Sequence, residues 1–292
     1  MSNNSGVLKL GNGGCRDGET RCLIRHVTSR CIPTVSSCLV SPKELIAADE
    51  RGRYTALIIV FDIKTMQLSN LPFFSELEQS KTILLAGAGG GFDIFCGLPL
   101  YFSLRALGKT VYLANLSFSY LPETEVRLSP SLLKVTADTS RPRDYFPEQY
   151  LAKWFRQQGQ ETPIYCFERT GFKPLLASYQ ALVETLSLDT IVLVDGGTDS
   201  LMRGDEIGLG TPHEDVTSIA AVNELAVKTK LLVCLGFGVD RYHGVCHAHV
   251  LEGVAELIAS GGFLGTFSLL QEMPEVQQYR QASEYVFQAM PE

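Results

Sequence analysis

The sequence has no excess of basic residues and no long apolar run. Its 292 residues contain 25 Lys and Arg against 32 Asp and Glu, which gives a formal net charge of −7 at pH 7. Nucleic-acid-binding proteins usually carry a basic surface, so this balance argues against a nucleic-acid partner. The longest apolar runs, such as 56–61 and 190–194, are far too short for a membrane-spanning helix. We therefore expect a protein that binds neither nucleic acid nor a membrane.

Closely spaced cysteine pairs are also absent. None of the eight cysteines belongs to the Cys-x-x-Cys pair that is typical of structural zinc sites. Isolated cysteines are typical of free thiols in a reducing compartment. The N-terminal residues lack the apolar core and cleavage site of a secretory signal. These observations together predict a cytoplasmic protein.

Three sequence signatures of common enzyme classes are missing. The sequence contains neither the G-x-S-x-G elbow of α/β-hydrolases nor the HExxH pair of zinc proteases, and its glycine-rich loop at 87–91 lacks the Lys-Ser/Thr of a P-loop. That loop matches the dinucleotide signature G-x-G-x-x-G only in part, because Phe92 occupies the third glycine position. The next strand ends in Asn115 rather than in an acidic residue that would hold a ribose, which further weakens a dinucleotide interpretation.

Short apolar runs alternate with segments of helical length from residue 82 onwards. The pattern predicts strands at 82–86, 109–115, 162–167, 190–194 and 230–235, and helices at 93–107, 146–158, 174–186, 212–229, 244–260 and 275–289. Continuous apolar strands that alternate with helices are typical of a parallel sheet covered on both faces. We predict an α/β fold with a doubly wound, mostly parallel Rossmann-like sheet, and a lid or rim formed by 121–147.

The first 65 residues differ from the rest of the chain. Residues 1 to about 50 are rich in Gly, Ser, Asn, Cys and Arg, and they show no sustained helical or strand periodicity. Two interpretations are open: a poorly ordered extension, or a segment added by an upstream choice of start codon. Because Met66 leads directly towards the first strong strand, we predict a single Rossmann-like domain over 66–292.

Glycines, carboxylates and hydroxyls follow all five predicted strands. Ligands of open α/β sheets bind outside the carboxyl ends of the strands, so these residues are the candidates for a site. The glycine-rich loop suits a bound phosphate or carboxylate, although a tight turn with close helix packing would use the same residues.

Asp195 and Asp199, on the glycine-rich turn 195–200, suit a hard cation or general acid–base catalysis. The same residues could instead satisfy backbone N–H groups of the turn. Arg203 is a candidate clamp for an anion or a member of a surface ion pair. Thr211 is interpreted as the cap of the following helix, and His213, beside Asp215, as a surface residue.

The candidate site residues therefore fall into two groups. The catalytic candidates are Asp195, Asp199 and His243, the last at the end of a loop that follows a strand. The ligand-binding candidates are Gly87, Gly89, Gly90, Gly91, Asp93, Asn115, Thr198, Arg203, Asp240 and Arg241.

Three segments together carry a resemblance to a known family. AGAGGGFD at 86–93, VDGGTDSLMRGDE at 194–206 and GTPHEDVTSIAAV at 210–222 resemble a conserved family of unknown function with a GAGGGGD-type loop and a DGGTDSLxRGDE segment. The resemblance extends over 81–292. It implies an open α/β fold and the position of a site, but no activity.

We predict an enzyme that binds a small anionic or nucleotide-like ligand at the carboxyl ends of the strands and uses Asp residues in hydrolase or transferase chemistry. The cofactor is left open between a divalent cation and a nucleotide, and homo-oligomerisation is left open too. Two alternatives remain: an NAD(P)-dependent oxidoreductase, which rests on the glycine loop alone, and a non-catalytic nucleotide-binding sensor or assembly subunit.

Overall fold

A computed structural model describes residues 71–123, 127–140 and 145–290, together with a short pair of antiparallel strands, β1 (Ala47–Ala48) and β2 (Tyr54–Thr55). The chain divides into two compact units, residues 1–66 and 67–292. Most of the segment 1–65 lies outside the described residues, so its two interpretations and the assignment of 66–292 to a single domain stay predictions.

The second unit contains, among its described residues, a seven-stranded sheet. Its strands are β3 (Thr82–Gly87), β4 (Thr110–Leu116), β5 (Arg127–Ser129), β6 (Leu132–Val135), β7 (Ile164–Phe167), β8 (Thr190–Asp195) and β9 (Thr229–Cys234). They lie in the order β5-β6-β7-β4-β3-β8-β9. The five neighbouring strands β7, β4, β3, β8 and β9 are parallel, whereas β6 pairs antiparallel with both β7 and the edge strand β5. The predicted mostly parallel, Rossmann-like sheet is confirmed.

One helix precedes these strands, and the others connect the strands or follow the last of them. They are α1 (Pro72–Glu76), α2 (Asp93–Cys96), α3 (Leu98–Ala106), α4 (Pro147–Gln157), α5 (Phe172–Leu186), α6 (His213–Asn223), α7 (His247–Ser260) and α8 (Pro274–Ala289). Two 3-10 helices cover Asp199–Leu201 and Val239–His243. None of the helices in the described ranges combines the length and apolarity needed to cross a membrane.

Both faces of the central strands of the sheet are buried, which explains why these strands are continuously apolar. Ile83 and Leu85 of β3 belong to one core cluster with residues of α2, α3, α4 and α8. The alternating residues Leu84 and Ala86 belong to a second cluster with residues of α5 and α6. All four side chains are fully buried. A strand with two buried faces has no polar positions to alternate with.

The segment 121–147 departs from its prediction. It contains β5 and β6, and β6 pairs antiparallel with β7, so the segment extends the sheet. Antiparallel strands can be joined by a tight hairpin, whereas another parallel strand would have required a helical crossover. The predicted lid or rim is therefore in part a sheet edge.

Several helix boundaries also differ from the prediction. The helix predicted over 93–107 is divided at Gly97 into α2 and α3, and α6 ends at Asn223 rather than at 229. The residue preceding α6 is Pro212, and no side chain caps this helix; Thr211 instead donates its N–H to Oδ2 of Asp199 at 2.8 Å. Gly244, with φ +90°, separates the 3-10 helix that ends at His243 from α7. A positive φ is readily adopted only by glycine, so Gly244 ends the 3-10 helix, and α7 begins at His247, three residues after the predicted start at 244.

Candidate functional site

The candidate site lies where β3 and β8 run side by side. Along the sheet, the five parallel strands follow the chain order third, second, first, fourth and fifth, which is the Rossmann order, and the order reverses between β3 and β8. The loops that leave these two strands meet: Ala88 N–H donates to the Val194 carbonyl at 2.8 Å, and Gly196 N–H donates to Oδ1 of Asp93 at 3.2 Å. A crevice at such a reversal is the usual ligand site of open α/β sheets.

Three carboxylates converge at this reversal of strand order, and we call them the acid triad. Asp93 begins α2, Asp195 ends β8, and Asp215 lies in the first turn of α6. One carboxylate oxygen of each lies within 4.8 Å of those of the other two. Asp195 and Asp215 are only 3% and 4% exposed, and Asp93 is half-buried.

The three carboxylates differ in how they are hydrogen-bonded. Asp93 Oδ2 accepts the N–H groups of Gly89 and Gly90 at 2.7 and 3.0 Å. Asp195 Oδ2 accepts the N–H of Ser200 at 3.2 Å and also its hydroxyl. Oδ1 of Asp215 is buried and has no hydrogen-bond partner among the described residues. A buried acceptor without a partner is costly, so this oxygen is left for a proton or a ligand to satisfy.

The pKa values of the three acids in the triad are raised towards neutral pH. Burial, reinforced by the neighbouring charge of Asp195, raises the pKa of Asp93 to about 7 and that of Asp215 to about 8. Burial also raises the pKa of Asp195 to about 6, although its bonds from Ser200 oppose the rise. Desolvation and mutual repulsion both penalise three adjacent negative charges, so the triad must take up protons or a cation.

The glycine-rich loop already binds an anion that belongs to the chain itself. The N–H groups of Gly89 and Gly90 point to Asp93, and that of Gly91 donates to the Leu116 carbonyl at 3.2 Å. An external anion would have to displace Asp93 from these donors. The use of Gly87, Gly89, Gly90 and Gly91 to hold a bound anion therefore stays a prediction.

Glycines make room for the triad. A Cβ atom on Gly89 would lie 2.6 Å from Oδ2 of Asp215, and one on Gly196 would lie 2.8 Å from Oδ1 of Asp93. Real Cβ atoms essentially never approach a heavy atom this closely. The glycines at these two positions therefore allow the carboxylates to approach the backbone closely.

Asp199 and Asp240 hold loops together beside the triad. Asp240 Oδ2 accepts the N–H and the hydroxyl of Thr198, at 2.5 and 3.3 Å. Asp199 accepts the N–H of Thr211, as described above. The side chain of His243 is 62% exposed, and its Nδ1 lies 3.9 Å from Oδ1 of Asp240. The structure thus brings Asp195 into the acid triad but leaves both Asp199 and His243 outside it.

The two arginines predicted to stabilise charge have other contacts. Arg203 Nη1 lies 2.5 Å from Oε1 of Glu256, and the guanidinium also pairs with Glu206 and Glu252. Of the two interpretations of Arg203, these contacts agree with a member of a surface ion pair. Arg241 is exposed, and its guanidinium lies 4.6 Å from the ring centroid of Tyr242.

Asn115 is turned into the protein interior. It is fully buried, and its Nδ2 donates to the Gly91 carbonyl at 2.8 Å and to Oε1 of Glu148 at 2.9 Å. Glu148, in α4, is fully buried, and burial raises its pKa, partly opposed by the bond from Asn115. Through the bond to the Gly91 carbonyl, Asn115 and Glu148 stabilise the glycine-rich loop. Glu148 is a functional candidate that the sequence did not reveal.

Asp215 is the second residue that sequence reasoning missed. Its neighbour His213 is exposed, in line with the surface interpretation, whereas Asp215 is buried. A signal was present, because Asp215 shares the buried face of α6 with Ser218, Ala221 and Val222 at helical spacing. An acid on the apolar face of a helix should have been treated as a site candidate.

The fold and the acid triad together define an α/β protein of Rossmann-like topology with three clustered carboxylates at the reversal of strand order. The chain belongs to the family described as protein of unknown function DUF1152, whose sequence model matches residues 126–287, more than half of the chain. Comparison with curated proteins gives no match. The matched span contains residues 194–222 but not the loop at 86–93, so the resemblance of that loop rests on its sequence alone.

Proposed function

We propose that this protein is an enzyme that binds a small anionic or nucleotide-like substrate beside a divalent cation, and that the acid triad carries hydrolase or transferase chemistry. The observation that supports this proposal is the convergence of the three carboxylates within 4.8 Å at the reversal of strand order between β3 and β8. A second observation points the same way, because Asp215 contributes a buried oxygen that has no partner among the described residues.

The spacing of the triad suits a small divalent ion. Oxygen ligands at the roughly 2.1 Å that Mg²⁺ prefers lie about 3–4 Å from one another in an octahedron. The triad oxygens, within 4.8 Å of one another, need only a small inward shift to reach that separation. Carboxylate oxygens are also the ligands that Mg²⁺ and Mn²⁺ prefer. A bound cation would replace the protons that otherwise relieve the repulsion within the triad.

The triad and the cation would divide the chemistry between them. A cation held by Asp93, Asp195 and Asp215 would supply polarisation of the reacting group of an anionic substrate and a lower pKa for a bound water. A carboxylate of the triad, for which we favour Asp195, accepts the proton of the attacking water or hydroxyl. Water as the acceptor gives hydrolysis, and a second substrate hydroxyl gives group transfer.

Removal of the cation tests this function. We expect the protein to release phosphate from nucleotides or sugar phosphates in the presence of Mg²⁺ or Mn²⁺. The rate should fall by at least about 100-fold in EDTA, because a metal-polarised reaction depends on the ion. The measurement is phosphate release, followed before chelation, after chelation and after the metal is restored. Turnover that is indifferent to EDTA would overturn the metal-assisted proposal. Ligand binding without any turnover would favour the sensor alternative.

Gly89→Ala is expected to weaken Mn²⁺ binding at least about tenfold, which is the usual cost of disturbing the surroundings of a metal ligand. The added Cβ would meet Oδ2 of Asp215 at 2.6 Å and push that carboxylate out of the triad. The affinity can be measured by isothermal titration calorimetry. Gly253→Ala is the matched control, since a Cβ at this position in α7 has its nearest neighbour at 3.5 Å. Equal Mn²⁺ affinities in the two variants would show that Asp215 is not a ligand.

One observation favours the NAD(P)-dependent alternative. The five parallel strands follow the order found in dinucleotide-binding sheets. Against it, the position that would hold a ribose hydroxyl is Asn115, whose amide group donates to Glu148 and to the Gly91 carbonyl. We therefore place this alternative second. A saturable calorimetric titration with NAD⁺ would reverse that order.

A further inference from the structure

A cleft of about 540 Å³ lies beyond the glycine-rich loop, outside the ends of β4 and β7. Its walls come from residues 117–121 after β4, residues 168–170 after β7, and Arg127 and Tyr145 of the segment 121–147. A cavity of roughly 300–1,000 Å³ is typical of small-molecule sites. We call it the β4–β7 cleft.

The β4–β7 cleft and the acid triad share the glycine-rich loop. A Cβ atom on Gly90 would lie 2.9 Å from the ring of Phe118, which lines the cleft, whereas one on Gly89 would touch Asp215. A smaller cavity of about 220 Å³ shares Arg169 with the cleft and reaches His213 and Glu214, the residues just before Asp215. Arg169 therefore lies between the cleft and the helix that carries the third acid of the triad.

Arg169 is the cation that this cleft presents to a ligand. The other arginine of the cleft, Arg127, is paired with Glu168 at 2.8 Å. Arg169 lies 5.1 Å from the ring centroid of Phe118, and it forms a long ion pair with Glu214 at 3.7 Å that uses none of its N–H groups in a close hydrogen bond. The Arg169 side chain is 59% exposed. The cation–π contact orients the guanidinium and leaves its N–H groups able to donate.

The remaining walls offer hydroxyl groups and an aromatic surface. The hydroxyl of Ser119 is buried and interacts with Glu148, whose pKa it helps to lower, whereas Thr170 is exposed in the lining of the cleft. Tyr145 is 39% exposed at the rim, with its ring available to a planar group. The acidic side chains in the lining are Glu168, paired as above, and Glu123, which is exposed. One oriented arginine, an exposed hydroxyl and an aromatic rim suit a ligand with an oxyanion at one end and a planar ring at the other.

We propose that the β4–β7 cleft binds a nucleoside monophosphate, with the phosphate on Arg169 and the base against Tyr145. This inference rests on the proposed function and supplies its substrate class. Arg169 takes the part that the sequence predicted for Arg203 and Arg241. It lies beside the glycine-rich loop and α6, so a phosphate on it would be directed towards the acid triad.

Calorimetric titration of the full chain with AMP and with adenosine, without added metal, tests the cleft. We expect AMP to bind, and Arg169→Gln to weaken AMP about 10- to 100-fold, which corresponds to the loss of one or two hydrogen bonds to a charged group. Adenosine, which has no phosphate, should bind both proteins equally. The AMP affinity of Arg169→Lys should lie between those of Arg169→Gln and the unmodified chain, because lysine keeps the positive charge but lacks the planar guanidinium. Arg280→Gln is the control, since Arg280 pairs with Glu284 on α8.

Three outcomes would overturn the proposal. The first is that none of AMP, GMP, CMP and UMP binds at millimolar concentration. The second is equal AMP affinity in Arg169→Gln and the unmodified chain, and the third is inorganic phosphate that binds as tightly as AMP. Mn²⁺ titration of the same protein separates the two hypotheses. Mn²⁺ binding without AMP binding removes only the cleft assignment. AMP binding without Mn²⁺ binding leaves the cleft assignment in place and removes the metal-assisted function.

Discussion

Asp195→Asn is expected to fold normally and to bind Mn²⁺ at least about 100-fold more weakly than the unmodified chain, the upper end of the cost seen for groups that support a metal ligand. The amide has the shape of the carboxylate, and its oxygen can still accept the N–H and hydroxyl of Ser200. What it loses is the negative charge that a divalent ion requires. Metal-dependent turnover should fall with the affinity.

The control for this variant is Asp138→Asn. Asp138 is exposed and paired with Arg156, so its substitution should leave Mn²⁺ affinity unchanged. Circular dichroism and a denaturant titration of both variants establish whether each one folds. An Asp195→Asn protein that unfolds would assign Asp195 to the structure rather than to the site. A folded variant with normal Mn²⁺ affinity would contradict the triad as a metal centre.

The second large effect is a loss of stability as the pH rises. The folded-state pKa values of the triad, about 6, 7 and 8, all lie above the 3.8 of an ordinary Asp. Between about pH 4 and pH 8, the folded protein therefore holds more protons than the unfolded chain, and the free energy of unfolding falls as the pH increases. We expect the metal-free melting temperature to drop by about 6 °C or more between pH 5 and pH 8.5, which corresponds to a few kcal/mol for a domain of this size.

A divalent cation should reverse that drop. A ligand of the folded state at 100 times its Kd adds about 2.7 kcal/mol of stability. Because protons and the cation compete for the same oxygens, Mn²⁺ should raise the melting temperature strongly at pH 8.5 and little at pH 5. Differential scanning fluorimetry across this range, with and without Mn²⁺, measures both effects. The same variant Asp195→Asn should flatten both responses, and a Mn²⁺ effect that is equal at the two pH values would contradict the shared site.

The order of strands and helices was readable because it depends on local patterns. A strand such as β3 is apolar at consecutive positions when both of its faces are buried, and a helix shows its period over several turns. Glycines at 196 and 197 and the acids beside them also indicated a turn with chemistry at the end of β8. The antiparallel β5–β6 edge was not readable, because a short hairpin within a polar segment lacks a long periodic run.

The triad itself was only partly predictable. Asp93 and Asp195 could be placed together because each follows a strand and strand ends share one edge of the sheet. Asp215 could not be placed with them, because it follows a loop whose path is set by the bond between Asp199 and Thr211.

The sequence by itself determined the class of fold, the edge of the sheet that carries polar residues and the two acids that follow strand ends. Only the tertiary structure decided that Asp215 completes the triad, that Asp93 occupies the donors of the glycine-rich loop, and that Arg169 faces a cleft while Arg203 is paired. Local patterns specify which segments become strands and helices. Which side chains meet depends on strand order and on long-range contacts between loops, which no local pattern encodes.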